Sequence, residues 1–124
     1  MKYLLIIALA FSINACAQKD KTILERQHAE KELKSFLANT NQHNVISKKN
    51  LILEDKETAI SVAEPILFKI YGKENIQSEK PYQAYLVNNY WVISGTLPDD
   101  SLGGTFLIIL DAKNSQVIRI THGK

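Results

Sequence analysis

The histidines and acidic residues of this sequence are the side chains best suited to metal binding or acid–base chemistry. Glu25 and His28 lie three residues apart in a predicted helix, and this spacing places both side chains on one helical face. A dinuclear metal site needs a second such pair from another helix, and the sequence offers none. His43 and His122 lie far from this pair along the chain. The pattern favours a solvated helix face over a metal site.

Two acidic pairs and one glycine pair also fail to match known ligand-binding loops. Glu54-Asp55 and Asp99-Asp100 lack the spacing of a calcium loop, and helix capping and turn formation explain them better. Gly103-Gly104 is followed by Thr-Phe-Leu, whereas a phosphate-binding loop requires Lys and Ser or Thr there. We therefore predict that the protein uses no cofactor and no metal.

The predicted strands contain no Asp or Glu, which argues against an enzyme. A pocket enclosed by a sheet needs an inward-facing carboxylate or histidine as its general base. All 13 acidic residues lie in predicted helices, loops or turns. The strands supply only His122, at the end of the last one. We predict that this protein is not an enzyme.

The amino end has the pattern of an export signal. Lys2 precedes an apolar run over 3–11, which is typical of a secretory signal and shorter than the roughly 20 residues that cross a bilayer. Ile13-Asn14-Ala15-Cys16 resembles a bacterial lipobox, where the cysteine is lipidated. The alternatives are an ordinary signal with a chance cysteine, or a buried helix. We predict a signal peptide (1–15), a lipidated tether (16–21) and one domain (22–124).

Lipidation of Cys16 would have two consequences for the rest of the chain. It would hold the domain at the cell envelope, on the periplasmic side or at the cell surface, with the membrane as a partner through the lipid. It would also leave no thiol for a disulfide, for catalysis or for metal binding, because Cys16 is the single cysteine.

Hydrophobic spacing predicts two helices in the first part of the domain. Ala29, Leu33, Phe36 and Leu37 recur at helical spacing within 22–38. Asp55 is a predicted N-cap for a second helix that ends at Tyr71. The apolar stripe of this second helix is expected to be buried, and it consists of Ala59, Ala63, Ile66, Leu67 and Ile70.

The second part of the domain has the alternation of four strands. Asn88-Asn89 tolerates positive φ and joins predicted strands over 82–87 and 90–97 in a tight hairpin. A second hairpin joins strands over 104–110 and 116–122. Because no strand–helix alternation occurs, we predict an α+β fold. In it, two N-terminal helices pack on a curved four-stranded antiparallel sheet.

The charge and the aromatic residues bear on the class of partner. The net charge is +2 and the charges are interspersed, which argues against nucleic acid as a partner. Tyr82, Tyr85 and Trp91 crowd the first hairpin, and Tyr and Trp are typical anchors of protein interfaces. Core packing is the simpler explanation for them, and a protein-binding sheet face is the alternative.

Four segments of the second half carry a family resemblance. They are ETAISVAEPILFKIYG (57–72), KPYQAYLVNNYWVISGTLP (80–98), Gly103-Gly104 and ITHGK (120–124). Together they resemble the immunity proteins with a nuclear transport factor 2-like fold, which belong to bacterial toxin–immunity systems. The resemblance implies a cone-shaped, cystatin-like sheet wrapped around helices. It also implies that the protein binds and neutralises a cognate toxin by occlusion.

Within this resemblance, candidate partner-binding residues are Tyr82, Tyr85, Trp91 and His122. Specificity is expected from two surface loops, 39–50 and 98–103. The alternative function is that of an envelope lipoprotein that binds a small apolar ligand in the cone of the sheet. A cone filled by the side chains of Trp91, Phe106 and Ile108 would exclude that alternative.

Overall fold

A computed structural model describes the backbone of residues 2–47 and 50–124, and the side chains of residues 18, 21–46 and 50–124. The chain forms two compact units, Met1–Asn44 and Val45–Lys124. The first unit contains one long helix, α1 (Lys2–Ala38). The second contains a 3₁₀ turn (Val45–Ser47), the helices α2 (Lys56–Tyr71) and α3 (Lys73–Ser78), and the strands β1 (Gln83–Val87), β2 (Tyr90–Ser94), β3 (Phe106–Asp111) and β4 (Val117–His122).

Helix α1 ends at Ala38, as predicted, but it begins at Lys2 and runs through the segment 16–21. No Gly or Pro interrupts this stretch, so nothing in the sequence stops the helix. Arg26 and Glu30 form an exposed ion pair of 2.9 Å one turn apart. The side chain of Cys16 lies outside the described residues. In the part of the chain that the structure describes, no helix combines the length and the hydrophobicity of a membrane span.

Helix α2 begins at the predicted cap. The Asp55 carboxylate accepts hydrogen bonds from the Thr58 amide (2.7 Å) and the Thr58 hydroxyl (3.0 Å), and these bonds lower the pKa of Asp55. The buried stripe of α2 consists of Ala59, Ala63 and Leu67.

The last turn of α2 departs from the prediction. Ile66 is half-buried, and the prediction that Ile70 is buried is wrong, since its side chain is 53% exposed. Helix α3, which was not predicted, follows Gly72 and adds Ile76 to the core.

The sheet is an antiparallel meander in the order β1-β2-β3-β4. Asn88 and Asn89 both have positive φ (49° and 65°) and form the predicted hairpin turn. A register shift between Ile109 and Leu110 marks a bulge against β4. The predicted α+β class, with helices and a four-stranded antiparallel sheet, is confirmed.

One face of the sheet packs against α2 and α3. Trp91 belongs to this core, and its indole N–H donates to the carbonyl oxygen of Leu53 at 2.8 Å. The bond satisfies the polar atom of a residue that is only 6% exposed. The core side chains are Leu53, Ala59, Ala63, Leu67, Ile76, Trp91, Ile93, Phe106, Ile108, Leu110 and Ala112.

Candidate functional site

Glu79 connects three parts of the second unit. It caps the C-terminus of α3 and is only 9% exposed. Its Oε2 accepts a hydrogen bond from the amide of Phe106, where β3 begins, at 2.9 Å. Its Oε1 lies 2.7 Å from Nε2 of His122, where β4 ends. A buried carboxylate is tolerated because both of its oxygens have partners.

His122 has an acceptor at each ring nitrogen. Nδ1 lies 2.8 Å from the carbonyl oxygen of Gly123, and Nε2 faces Glu79. A carbonyl oxygen and a carboxylate both accept, so both contacts are hydrogen bonds when each ring nitrogen carries a proton. The hydrogen bond to the Gly123 carbonyl, followed by the one to Glu79, raises the pKa of His122. Both ring nitrogens of His122 are thus engaged by acceptors, and neither points freely into the solvent.

Glycines allow the backbone to approach this pair of side chains. A Cβ at Gly95 would overlap the carboxylate of Glu79, with the Glu79 Cβ only 2.7 Å away. A Cβ at Gly104 would overlap the backbone of Gly123, whose carbonyl carbon would be 2.6 Å away. The amide of Phe106, the first residue of β3, can thus reach Glu79. In the same way, the carbonyl of Gly123 can turn back towards His122.

A surface pocket of about 470 Å³ opens beside the Glu79–His122 pair. The ring of Tyr71 forms one wall, with its centroid 5.2 Å from that of His122. In the described residues, no group of three or more His, Cys, Asp or Glu side chains could hold a metal ion. The pocket is lined by Tyr71, Asn75, Ser78, Glu79, His122 and Gly123.

Three of the four predicted contact residues face the interior or a polar cluster. Tyr82 is half-buried, donates its hydroxyl to the carbonyl of Ile76 at 3.2 Å and packs edge-on against Phe106. Its burial, together with the nearby Glu64, raises its pKa. Trp91 belongs to the core and His122 pairs with Glu79, as described above. Tyr85 differs, because 63% of its side chain is exposed.

Tyr85 lies on the sheet face that points away from α2 and α3, which we call the outer face. Register places Tyr85 beside Val92, and Val92 beside Ile109, so an apolar row crosses three strands. Beside this row is a groove of about 350 Å³. The groove is lined by Val87, Asn88, Tyr90, Val92, Ile109 and Ile118.

The sequence did contain a signal for the outer face. A sheet with one solvated face normally alternates apolar and polar residues, but both faces of β1, β2 and β3 carry apolar side chains. Glu79 gave no such signal. It lies at the end of a helix that was not predicted, and its partners are 27 and 43 residues away.

The helix-facing side of the sheet bears on the alternative of a small apolar ligand. Phe106 and Ile108 are fully buried there, and Trp91 nearly so. These are the three side chains whose burial would exclude an open cone. They pack against α2 and α3 in one hydrophobic core, and this arrangement disfavours the small-ligand alternative.

Residues 58–124 match a family described as NTF2 fold immunity protein. The chain is also similar to two proteins of Escherichia coli (strain K12), YhhH and YbbC, both described as uncharacterized. YhhH is 30% identical over 74 residues, which are 59% of this chain and 58% of YhhH. YbbC is 34% identical over 79 residues, which are 63% of this chain and 64% of YbbC.

The chain thus spans about three fifths of the length of these relatives. No solved structure matches it. The family match, in contrast, covers more than half of this chain. It includes all of α2 except its first two residues, the whole of α3 and all four strands. The chain belongs to the NTF2 fold immunity protein family.

Proposed function

We propose that this protein binds a cognate bacterial toxin through the outer face of its sheet and neutralises the toxin by occlusion, without catalysis. One observation carries the proposal: in a member of an immunity family, an apolar sheet face is left open to solvent. Monomeric soluble proteins rarely expose large contiguous apolar patches, and those that do use them mostly for binding.

The composition of the outer face supports a protein as the ligand. Tyr85 and Tyr90 are exposed aromatic side chains, and tyrosine is enriched among residues that dominate binding energy. Polar side chains, including Gln83, Asn88 and Arg119, are exposed around the apolar centre. An apolar centre with a polar rim is the usual anatomy of a protein interface.

The Glu79–His122 pair supports a role without catalysis. A general base needs a nitrogen or oxygen that is free to take a proton from a substrate. Both nitrogens of His122 already face acceptors, and Glu79 accepts from Phe106 and His122. These side chains stabilise the end of the sheet and leave binding to its outer face.

Replacing Ile118 with Asp tests the outer face. We expect Ile118→Asp to weaken binding of the cognate toxin by about 10- to 100-fold, because a charge enters an apolar contact at a cost of about 1.4–2.8 kcal/mol. The matched control is Ile70→Asp on α2, since Ile70 and Ile118 have similar exposure (53% and 49%). The measurements are rescue of growth on co-expression with the toxin and calorimetric affinity.

The toxin for this experiment is taken from the gene next to that of the immunity protein. The proposal predicts that Ile70→Asp rescues growth like the unaltered protein and that Ile118→Asp does not. Equal rescue by both variants would show that the toxin binds elsewhere. Failure of the unaltered protein to rescue growth or to form a complex would end the toxin-binding proposal itself.

We also propose that Cys16 carries a lipid that holds the protein at the cell envelope. The support is the Lys2 start, the apolar run over 3–11 and the lipobox-like ending at the single cysteine. Two acyl chains on one cysteine suffice for stable anchoring, because each buried CH₂ contributes about 0.8 kcal/mol. The toxin would then be met outside the cytoplasm.

Replacing Cys16 with Ser tests the anchor. We expect Cys16→Ser to move most of the protein from the membrane fraction to the soluble fraction and to abolish incorporation of radiolabelled palmitate. The matched control is Ser12→Ala, which lies in the same segment and leaves the thiol in place. Membrane retention of Cys16→Ser at the level of Ser12→Ala would contradict lipid anchoring.

A further inference from the structure

The strand β1 forms an open edge of the sheet. In the described residues β1 pairs with β2 alone. Its sequence, Gln-Ala-Tyr-Leu-Val, contains no charge and no proline, and its pairing with β2 has no register shift. Charged residues, proline and bulges are features by which natural proteins protect an edge strand from pairing with another chain, and β1 has none of these three. The opposite edge, β4, has two of these features, namely the bulge and the charged Arg119.

The hairpin geometry determines which backbone groups of β1 are available. In a two-residue hairpin the flanking residues, here Val87 and Tyr90, exchange backbone hydrogen bonds. Because such pairs alternate along antiparallel strands, Tyr85 also bonds to β2 through its backbone. The N–H and C=O groups of Ala84 and Leu86 are therefore directed away from β2, towards the open edge.

We propose that a second copy of this chain pairs with this edge, so that β1 and its symmetry mate lie antiparallel about an axis through Tyr85. In this register Ala84 of each copy exchanges two backbone hydrogen bonds with Leu86 of the other. The two Tyr85 side chains face each other across the axis as a non-hydrogen-bonded pair. The result is one sheet of eight strands.

The self-complementarity of β1 indicates that the strand pairing with this edge is β1 of a second copy of the chain. A two-fold axis requires the same segment to be its own partner, and β1 meets this requirement in three ways. It has an odd number of residues centred on Tyr85, a small side chain (Ala84) opposite a large one (Leu86), and no charge that would repel its own copy. The side chains at this edge are also accessible, with Leu86 42% and Val87 51% exposed.

The dimer is independent of the toxin-binding proposal. An axis through the Tyr85 pair runs perpendicular to the sheet, so the outer faces of both copies lie on the same side. The grooves beside Tyr90 and Ile118 stay uncovered. Two toxin-binding faces would then be joined in one continuous surface, which raises avidity for a partner presented in several copies.

Disulfide trapping tests the register of the proposed dimer. The chain carries Cys16→Ser so that the introduced cysteine is the only one, and mild detergent keeps the full chain in solution. Residues in a non-hydrogen-bonded antiparallel pair have Cα atoms about 4.5 Å apart, which lies within the range for a disulfide. We expect Tyr85→Cys to oxidise to a covalent dimer at least about tenfold faster than Ile118→Cys, an exposed cysteine on the protected edge.

Light scattering provides a second test, in which the mass of the protein is measured without any introduced cysteine. The unaltered chain should have the mass of a dimer, and Leu86→Lys, which places a charge at the exposed edge, should have the mass of a monomer. A monomeric unaltered chain, or equal oxidation of Tyr85→Cys and Ile118→Cys, would overturn the proposal. So would loss of toxin binding in Leu86→Lys without any dimer in the unaltered chain, because the edge would then receive a strand of the toxin.

Discussion

Replacing Glu79 with Ala should lower the free energy of unfolding by about 2–4 kcal/mol. The substitution leaves the amide of Phe106 without an acceptor inside the protein, and it removes the carboxylate that balances the charge of His122. The substitution thereby removes the hydrogen bond that joins the end of α3 to the first residue of β3. Denaturant unfolding at neutral pH measures the loss. Gln77→Ala, an exposed neighbour in α3, is the control and should stay within about 0.5 kcal/mol of the unaltered protein.

The pH dependence of stability distinguishes the contribution of the negative charge of Glu79 from that of its hydrogen bonds. The raised pKa of His122 means that protonated His122 stabilises the fold fully below the unfolded value of about 6.5, and that this contribution is lost as the pH rises through the folded pKa. Glu79→Gln can still accept from Phe106 and can donate to a neutral His122. We therefore expect this variant to lose that pH dependence while it keeps much of the stability at alkaline pH. An unchanged pH profile in Glu79→Gln would contradict the ion pair.

Replacing Gly104 with Ala should destabilise the protein by about 3 kcal/mol. The new methyl group would overlap the backbone of Gly123, and a backbone cannot move aside as a flexible side chain can. Relief of the overlap would separate the first residues of β3 from the end of β4 and break the bond from the Gly123 amide to the Thr105 carbonyl (3.0 Å). The melting temperature and the midpoint of denaturant unfolding measure this effect.

Three further variants serve as comparisons for the result at Gly104. Ser101→Ala, in the same loop and exposed, should leave stability within about 0.5 kcal/mol. Gly123→Ala should cost nearly as much as Gly104→Ala, and the double variant should cost clearly less than the two losses added, because both methyl groups disturb one contact. Full additivity, or a Gly104→Ala variant as stable as Ser101→Ala, would show that the two backbones are free to separate.

Local chemistry accounts for the parts of the fold that could be predicted from the sequence. Asp55 caps α2 through Thr58, three residues away, and Asn88-Asn89 forms its turn without help from the rest of the chain. The alternation of the strands likewise predicts their pairing. Helix α3 escaped prediction because it is only six residues long, and so short a helix is maintained by packing rather than by propensity.

The candidate site depends on contacts that no local pattern reports. The predicted strands contain no carboxylate, and the buried one, Glu79, comes from the end of helix α3. Tryptophan and tyrosine are both typical of protein interfaces, so residue type alone makes Trp91, Tyr82 and Tyr85 equal candidates. Burial separates them, because Trp91 lies in the core and Tyr85 is exposed. Side-chain type suggests a role, but the position in the fold decides it.

The segments that carry the family resemblance meet around Glu79. Gly95 gives it room, and Gly104 and Gly123 bring the two strand ends together, while His122 and the amide of Phe106 bind its carboxylate. These residues serve the scaffold. The outer face includes side chains from the same segments that the scaffold does not need, and it is there that a change of partner would be tolerated.

The bond between Trp91 and Leu53 makes the protein suited to fluorescence. Trp91 is the single tryptophan of the chain, and its indole is buried against the segment that precedes α2. Its emission reports one environment, and a red shift means that the core has opened or that the Leu53 segment has detached. A toxin docked on the outer face would leave the emission of Trp91 nearly unchanged. This emission therefore reports the folding of the protein and does not respond to binding at the outer face.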